Sequence, residues 1–205
     1  MSLTLDELQQ PRTPKELLAF VESVRERAKT DEKLRMAGHH RTGYLKQYFD
    51  EIEPLARFAA AVYIDTNIVC PVFGNQGFDA EVFDAEGRLI ERVEIANPID
   101  GQSRAEAGNE LAKRGVGGLR VGEPGEDLEE LMPIITRTAS KKAIKDYSDA
   151  TLVFNVSTLP SFEGFEERHE EQVARIRSTL AKAGFRAKRL FIMLPSGKVE
   201  QIDGR

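Results

Sequence analysis

The sequence predicts an α/β domain with a mixed sheet flanked by helices. Helical periodicity fills the first 60 or so residues, an alternating run folds around a tight turn near residue 85, and short apolar runs alternate with helical segments towards the C-terminus. The composition agrees: of 205 residues, 40% are hydrophobic, enough for a core, and 31% are charged, too many for a membrane-embedded chain. No apolar stretch approaches the roughly 20 residues that span a bilayer.

Thr13-Pro14-Lys15-Glu16 reads as a helix start, with Thr as cap, Pro in the first turn and Glu reaching back. Leu17, Leu18, Val21 and Val24 carry that helix on towards Gly38. A second helix covers about Tyr44 to Val62, kinked or divided by Pro54. Strands are expected at Tyr63–Phe73, Phe78–Val82 and Leu89–Ala96, the last two joined by the turn Asp84-Ala85-Glu86-Gly87. Ser103 and Glu106 open another helix, which Gly115 stops; Gly115-Val116-Gly117-Gly118 lacks the ending of a phosphate loop and reads as a turn. A helix from about Asp127 to Tyr147, a buried strand at Leu152–Val156, a helix from Phe165 to Ala183 capped by Gly184, and a hairpin of Leu190–Leu194 with Lys198–Ile202 complete the chain. Residues 1–43 form an N-terminal helical arm and residues 44–205 the α/β domain.

A hairpin closed symmetrically at Asp84–Gly87 sets Phe78, Ala80, Val82, Leu89, Val93 and Ile95 on the core face. Asp79, Glu81, Arg92 and Glu94 fall on the other, with Asp79 opposite Arg92. Asp79 and Glu94 are then diagonal neighbours, their Cβ atoms roughly 7–8 Å apart. Two carboxylates at that separation can share a hard divalent cation, and Mg²⁺ suits one or two carboxylates with several waters. The plainer alternative is a solvated face with a cross-strand ion pair between Asp79 and Arg92.

In element order, and in Asp79 of Gly77-Phe78-Asp79-Ala80 and Glu94 of Val93-Glu94-Ile95-Ala96, the chain resembles the PD-(D/E)XK nuclease superfamily. That resemblance implies a restriction-endonuclease-like core over residues 44 to 194. It also implies Mg²⁺ held by Asp79, Glu94 and the backbone carbonyl of Ile95, and hydrolysis of a nucleic-acid phosphodiester by metal-activated water. Ala96 departs from the pattern, standing where the family has lysine. Lys113 on the following helix is the first candidate for a relocated cation and Arg92 the second. A non-catalytic binding or assembly module on the same fold is the rival reading.

Arg137, Lys141 and Lys145 repeat every fourth residue, a basic stripe fit either for phosphate contacts or for the wet side of a helix, with Lys142 beside it. His39 and His40 are adjacent, a poor metal motif. Glu51 and Glu53 flank the kink and read as helix-surface acids, although the resemblance allows either to approach a metal. A formal net charge of −5 and a pI near 5.4 give no global attraction to nucleic acid but allow a local basic patch. Cys70, the sole cysteine, excludes an intramolecular disulfide, and the polar, acidic start MSLTLDELQQPRTPKE reads as neither signal nor transit peptide. A cytoplasmic protein without membrane partners is expected, and the C-terminal hairpin offers an edge strand for a homo-oligomer.

Overall fold

Two threonines set the first helices. Thr4 begins α1 (Leu5–Gln9) and Thr13 begins α2 (Pro14–Thr30). Each hydroxyl accepts from the N–H three residues on, while Glu7 or Glu16 returns to the threonine N–H. The helix expected to continue to Gly38 divides at Asp31, which is extended and accepts from Leu34 N at 3.0 Å, so α3 (Glu32–His40) starts afresh. An aspartate side chain that captures a backbone N–H competes with the helix it sits in.

Arg12, between α1 and α2, is buried. Its guanidinium donates to the carbonyls of Glu7 (2.7 Å) and Gln10 (2.9 Å) and lies 4.0 Å from the Phe20 ring centroid. Its backbone exchanges hydrogen bonds with Val69 at 3.0 and 2.8 Å, joining the N-terminal helices to the first strand. The Tyr48 hydroxyl donates to Val21 O at 2.9 Å, and burial pushes its phenol far above the usual range.

Tyr48 lies where α4 (Tyr44–Gln47) passes into a π-turn (Tyr48–Ile52) and then α5 (Glu53–Val62). Pro54 has no N–H to donate, and its ring crowds the carbonyl four residues back. The wider π-turn just ahead of it absorbs that misfit, so the expected kink takes this form.

This structure is a computed structural model that describes residues 3–40, 42–74, 76–98, 126–156, 166–194 and 196–202. The helix expected at Ser103, the Gly115–Gly118 turn and Lys113 lie outside them. The strands are β1 (Ile68–Pro71), β2 (Ala80–Phe83), β3 (Leu89–Ala96), β4 (Asp146–Asn155), β5 (Arg186–Met193) and β6 (Val199–Gln201), in the order β1-β2-β3-β4-β5-β6. β1 and β2 are antiparallel, β4 and β5 parallel, β5 and β6 antiparallel, so the sheet is mixed. Helices α6 (Glu126–Ala143) and α7 (Glu166–Lys182) precede β4 and β5.

Several boundaries differ from expectation: β2 begins at Ala80 rather than Phe78, and β5 at Arg186 rather than Leu190. β1 is shorter than the run from Tyr63 to Phe73, because a turn with Asn67 N bonded to Ile64 O (2.9 Å) comes first. α6 ends at Ala143 rather than Tyr147, and β4 starts at Asp146, earlier than expected. Between β2 and β3, Asp84 accepts from the N–H groups of Glu86 (3.0 Å) and Arg88 (2.8 Å), and Gly87 takes φ +77°.

The chain forms two compact units, divided within β3 between Arg92 and Val93. In the first, Leu17, Val21, Tyr48, Leu55, Phe58, Val69 and Val82 are buried. In the second, Ile135 and Ala139 of α6 and Ile176 and Leu180 of α7 pack with Leu152, Phe154 and Ile192. Among the described residues no helix is long and apolar enough to cross a membrane.

Candidate functional site

The second half of β3 is buried on both faces: Val93, Glu94, Ile95 and Ala96 are all inside. A strand covered on both sides carries apolar residues almost throughout. Glu94 is the one charged side chain in that stretch, and its partner comes from α6. Met132, Ile135 and Ala139 are buried residues of that helix, and Lys142 follows Ala139 by three, on the same face. The face that packs Ile135 and Ala139 into the core therefore delivers the Lys142 ammonium to Glu94 Oε1. Side-chain exposures of 8% for Glu94 and 19% for Lys142 make this a largely desolvated pair. The Tyr147 hydroxyl lies 3.5 Å from the same oxygen, at the limit of hydrogen-bond reach, and its ring centroid is 6.0 Å from the ammonium.

The plainer alternative, a solvated face, therefore does not hold for Glu94, which is buried and charge-paired. The cause is α6, which covers a face that hairpin periodicity alone leaves to solvent. Ala96 is 1% exposed and belongs to the same core cluster as Ile135 and Ala139. The other expected core residues divide. Ala80, Val82, Val93 and Ile95 are buried, Phe78 is half-buried, and Leu89 at the hairpin end is 46% exposed.

Asp79 belongs to the first unit and immediately precedes β2. It is half-buried, and its carbonyl accepts from Val72 N at 2.8 Å. Arg92, also in the first unit, donates its Nε to Glu81 (3.2 Å) and stacks 4.8 Å from the Phe78 ring centroid. Burial and the nearby Glu81 carboxylate push the Cys70 thiol up from its ordinary value. Glu53 is tied to Arg25 and Arg57, and Glu51 is half-buried in the π-turn.

The basic stripe is only partly helical. Arg137 and Lys141 are exposed on α6, whereas Lys145 lies beyond the helix, in the bend before β4. A fourfold repeat that runs past a helix end no longer marks one face. Beyond β3, Asn97 and the last residue of β4, Asn155, meet at 2.8 Å.

Sequence reasoning passed over Lys142 as Glu94's partner and Tyr147 as its neighbour. The signal was present: Ile135, Ala139 and Lys142 share a helical face, and a lysine closing an apolar stripe points at whatever that stripe covers.

Among the described residues no three His, Cys, Asp or Glu side chains are grouped to hold a metal ion. Mg²⁺ is commonly held by one or two carboxylates, its remaining ligands being water. Glu94 supplies one hard oxygen donor, and it is already paired with the Lys142 ammonium. A cavity of about 550 Å³ at the end of α7 offers Lys188, Arg189 and Gln201 but no carboxylate, and Arg189 donates to Thr151 at 3.3 Å. It does not suit a cation. The chain matches no family model, no curated protein and no solved structure.

Proposed function

We propose that the chain is a Mg²⁺-dependent phosphodiesterase acting on nucleic acid, with a restriction-endonuclease-like core. One observation carries the reading: the buried carboxylate of Glu94, on the third strand of the sheet, is met by the Lys142 ammonium from α6. An acid and a cation are thereby supplied together although position 96 holds alanine. The resemblance to the PD-(D/E)XK superfamily implies Asp79 as a second ligand and the Ile95 carbonyl as a further one. Glu94 would bind the ion, and a bound Mg²⁺ supplies the polarisation that makes water a nucleophile and offsets charge on the phosphoryl oxygens. Arg137 and Lys141, exposed on α6, would meet backbone phosphates without reading sequence.

The test is cleavage of labelled single- and double-stranded DNA and RNA with Mg²⁺ or Mn²⁺. Wild type is set against Asp79→Ala and Glu94→Ala, with a chelator as blank. Cleavage by wild type, lost in both variants, is the expected result. Cleavage that survives Glu94→Ala removes the reading.

Burial of Ala96 against α6 favours a second reading, a non-catalytic binding or assembly module in which Glu94 and Lys142 only fasten helix to strand. That reading expects no cleavage and no metal-induced rise in melting temperature.

A further inference from the structure

We propose that the cavity between the end of α7 and the edge of β5 binds a small phosphate monoester with an apolar or aromatic body. The site is separate from Glu94 and Lys142 and does not rest on the metal-site reading.

Its charge is written in the sequence. From Lys182 to Arg189 the chain carries four cations, Lys182, Arg186, Lys188 and Arg189, and no acid, although its formal net charge is −5. A local excess of one sign gives a field that the whole molecule lacks. The fold then makes a recess at the same place. β5 starts at Arg186, but β6 pairs only with Phe191–Met193, and Ile202 N reaches Leu190 O at 2.8 Å. Among the described residues the first part of β5 therefore has a strand on one side only, that of β4. The step left by the shorter strand holds the cavity of about 550 Å³. Gly184, at φ +71°, turns the chain into it, and a Cβ built on that residue meets nothing within 4 Å.

The lining divides by chemistry. Leu180, Phe185 and Ile202 are apolar, whereas Lys188, Arg189 and Gln201 carry N–H donors. Adjacent residues of an extended strand project to opposite faces. Lys188 and Arg189 both border the cavity because it opens at the strand edge, so an anion seated there has a cation on either flank. Arg189 is held in position: its Nε donates to Thr151 Oγ1 at 3.3 Å, and its guanidinium lies 5.1 Å from the Phe191 ring centroid. Glu200, next to Gln201 on β6, pairs with Arg177 and Lys198 and is not part of the lining.

Size and charge choose the ligand. Small-molecule pockets span about 300–1,000 Å³, and a bare anion fills little of such a space, so the anion carries an organic body for the apolar wall. Two cations and an amide match the nearly double charge and three acceptor oxygens of a phosphate monoester better than the single charge of a carboxylate.

Phenyl phosphate is the probe, titrated calorimetrically into the full chain in phosphate-free buffer with a chelator present. It should bind about tenfold more tightly than inorganic phosphate, which lacks the apolar surface to bury, and more tightly than benzoate. Lys188→Gln and Arg189→Gln should each weaken it about tenfold, the loss of one hydrogen bond between charged partners. Lys188 is exposed, so its replacement leaves the fold intact; Arg189→Gln also gives up Thr151 and Phe191, and circular dichroism accompanies it. Ala181→Trp, at an exposed helix position on the cavity wall, keeps every cation and should bring phenyl phosphate down to the affinity of inorganic phosphate. No binding by wild type, or binding that survives both Lys188→Gln and Ala181→Trp, overturns the proposal. Benzoate bound as tightly as phenyl phosphate overturns the choice of a phosphate.

Discussion

Replacing Lys142 with methionine keeps most of the side-chain length and removes only the charge. Glu94 would then lie 92% buried with no ammonium on Oε1, and the Tyr147 hydroxyl at 3.5 Å is too distant to compensate. Breaking a fully buried ion pair by removing one partner costs about 3–5 kcal/mol. The partial exposure of Lys142 puts this pair near the lower end, about 3 kcal/mol. Glu94→Gln leaves the other half behind, but the orphaned lysine can turn its head to water, so about 1–2 kcal/mol is expected. Neutralising both removes the conflict, and the double variant should fall within about 1 kcal/mol of wild type.

For a chain of this size about 3 kcal/mol corresponds to a melting-temperature loss of roughly 6–12 °C. Urea denaturation at neutral pH, followed by circular dichroism, gives all three values and the coupling energy of the pair. The ordering matters most: Lys142→Met worst, Glu94→Gln milder, the double variant close to wild type. Equal single losses, or a double variant that merely sums them, would refute the view that the carboxylate is the trapped partner.

Three further outcomes follow from the first unit. Tyr48→Phe removes a buried donor to Val21 O and should cost about 1–2 kcal/mol in the same assay. Gly87→Ala meets no neighbouring atom, so its cost is that of a left-handed backbone alone, about 1–2 kcal/mol, and Gly87→Asn should cost less. Asp84 accepts from the Arg88 backbone N–H, the largest influence, then from the Arg88 guanidinium and Glu86 N–H, and these hold its carboxyl below the ordinary 3.8. A depressed folded value means that its contribution is complete above the unfolded value and drains away as pH falls through the folded one. Asp84→Ala should therefore lower the melting temperature at neutral pH and flatten its fall as pH drops below about 4; an unchanged acid limb would show that the turn draws nothing from this carboxylate.

Much of the framework is written in local chemistry. The Thr13–Glu16 reciprocal cap, the Asp84–Gly87 turn, Gly184 at φ +71° and the central strand at residues 89–96 all follow from neighbours within a few positions. What local patterns could not supply was the partner of each face. Alternation in β3 separates Val93 and Ile95 from Glu94 and Ala96, but only the arrival of α6 makes the second pair as buried as the first. The same blindness misplaced the end of α6: Ile144 and Lys145 continue the helical pattern, yet β4 pairs with β5 from Asp146, and that ladder takes the chain. The break at Asp31 was legible in principle, since aspartate three residues before a buried leucine can cap a new helix.

A buried pair that serves only structure is replaceable by neutral groups of similar volume at little cost, often with a gain. The double variant Glu94→Gln/Lys142→Met therefore separates the two readings of this chain more sharply than either single change. If the pair is a fastening, the double variant folds as well as wild type and whatever the protein binds is unaffected. If Glu94 is a metal ligand, as proposed, the double variant folds as well but no longer binds Mn²⁺ and no longer cleaves. Stability and metal binding then come apart in one molecule. Such a separation is difficult to attribute to damage, because the fold that loses the metal is the fold that keeps its stability.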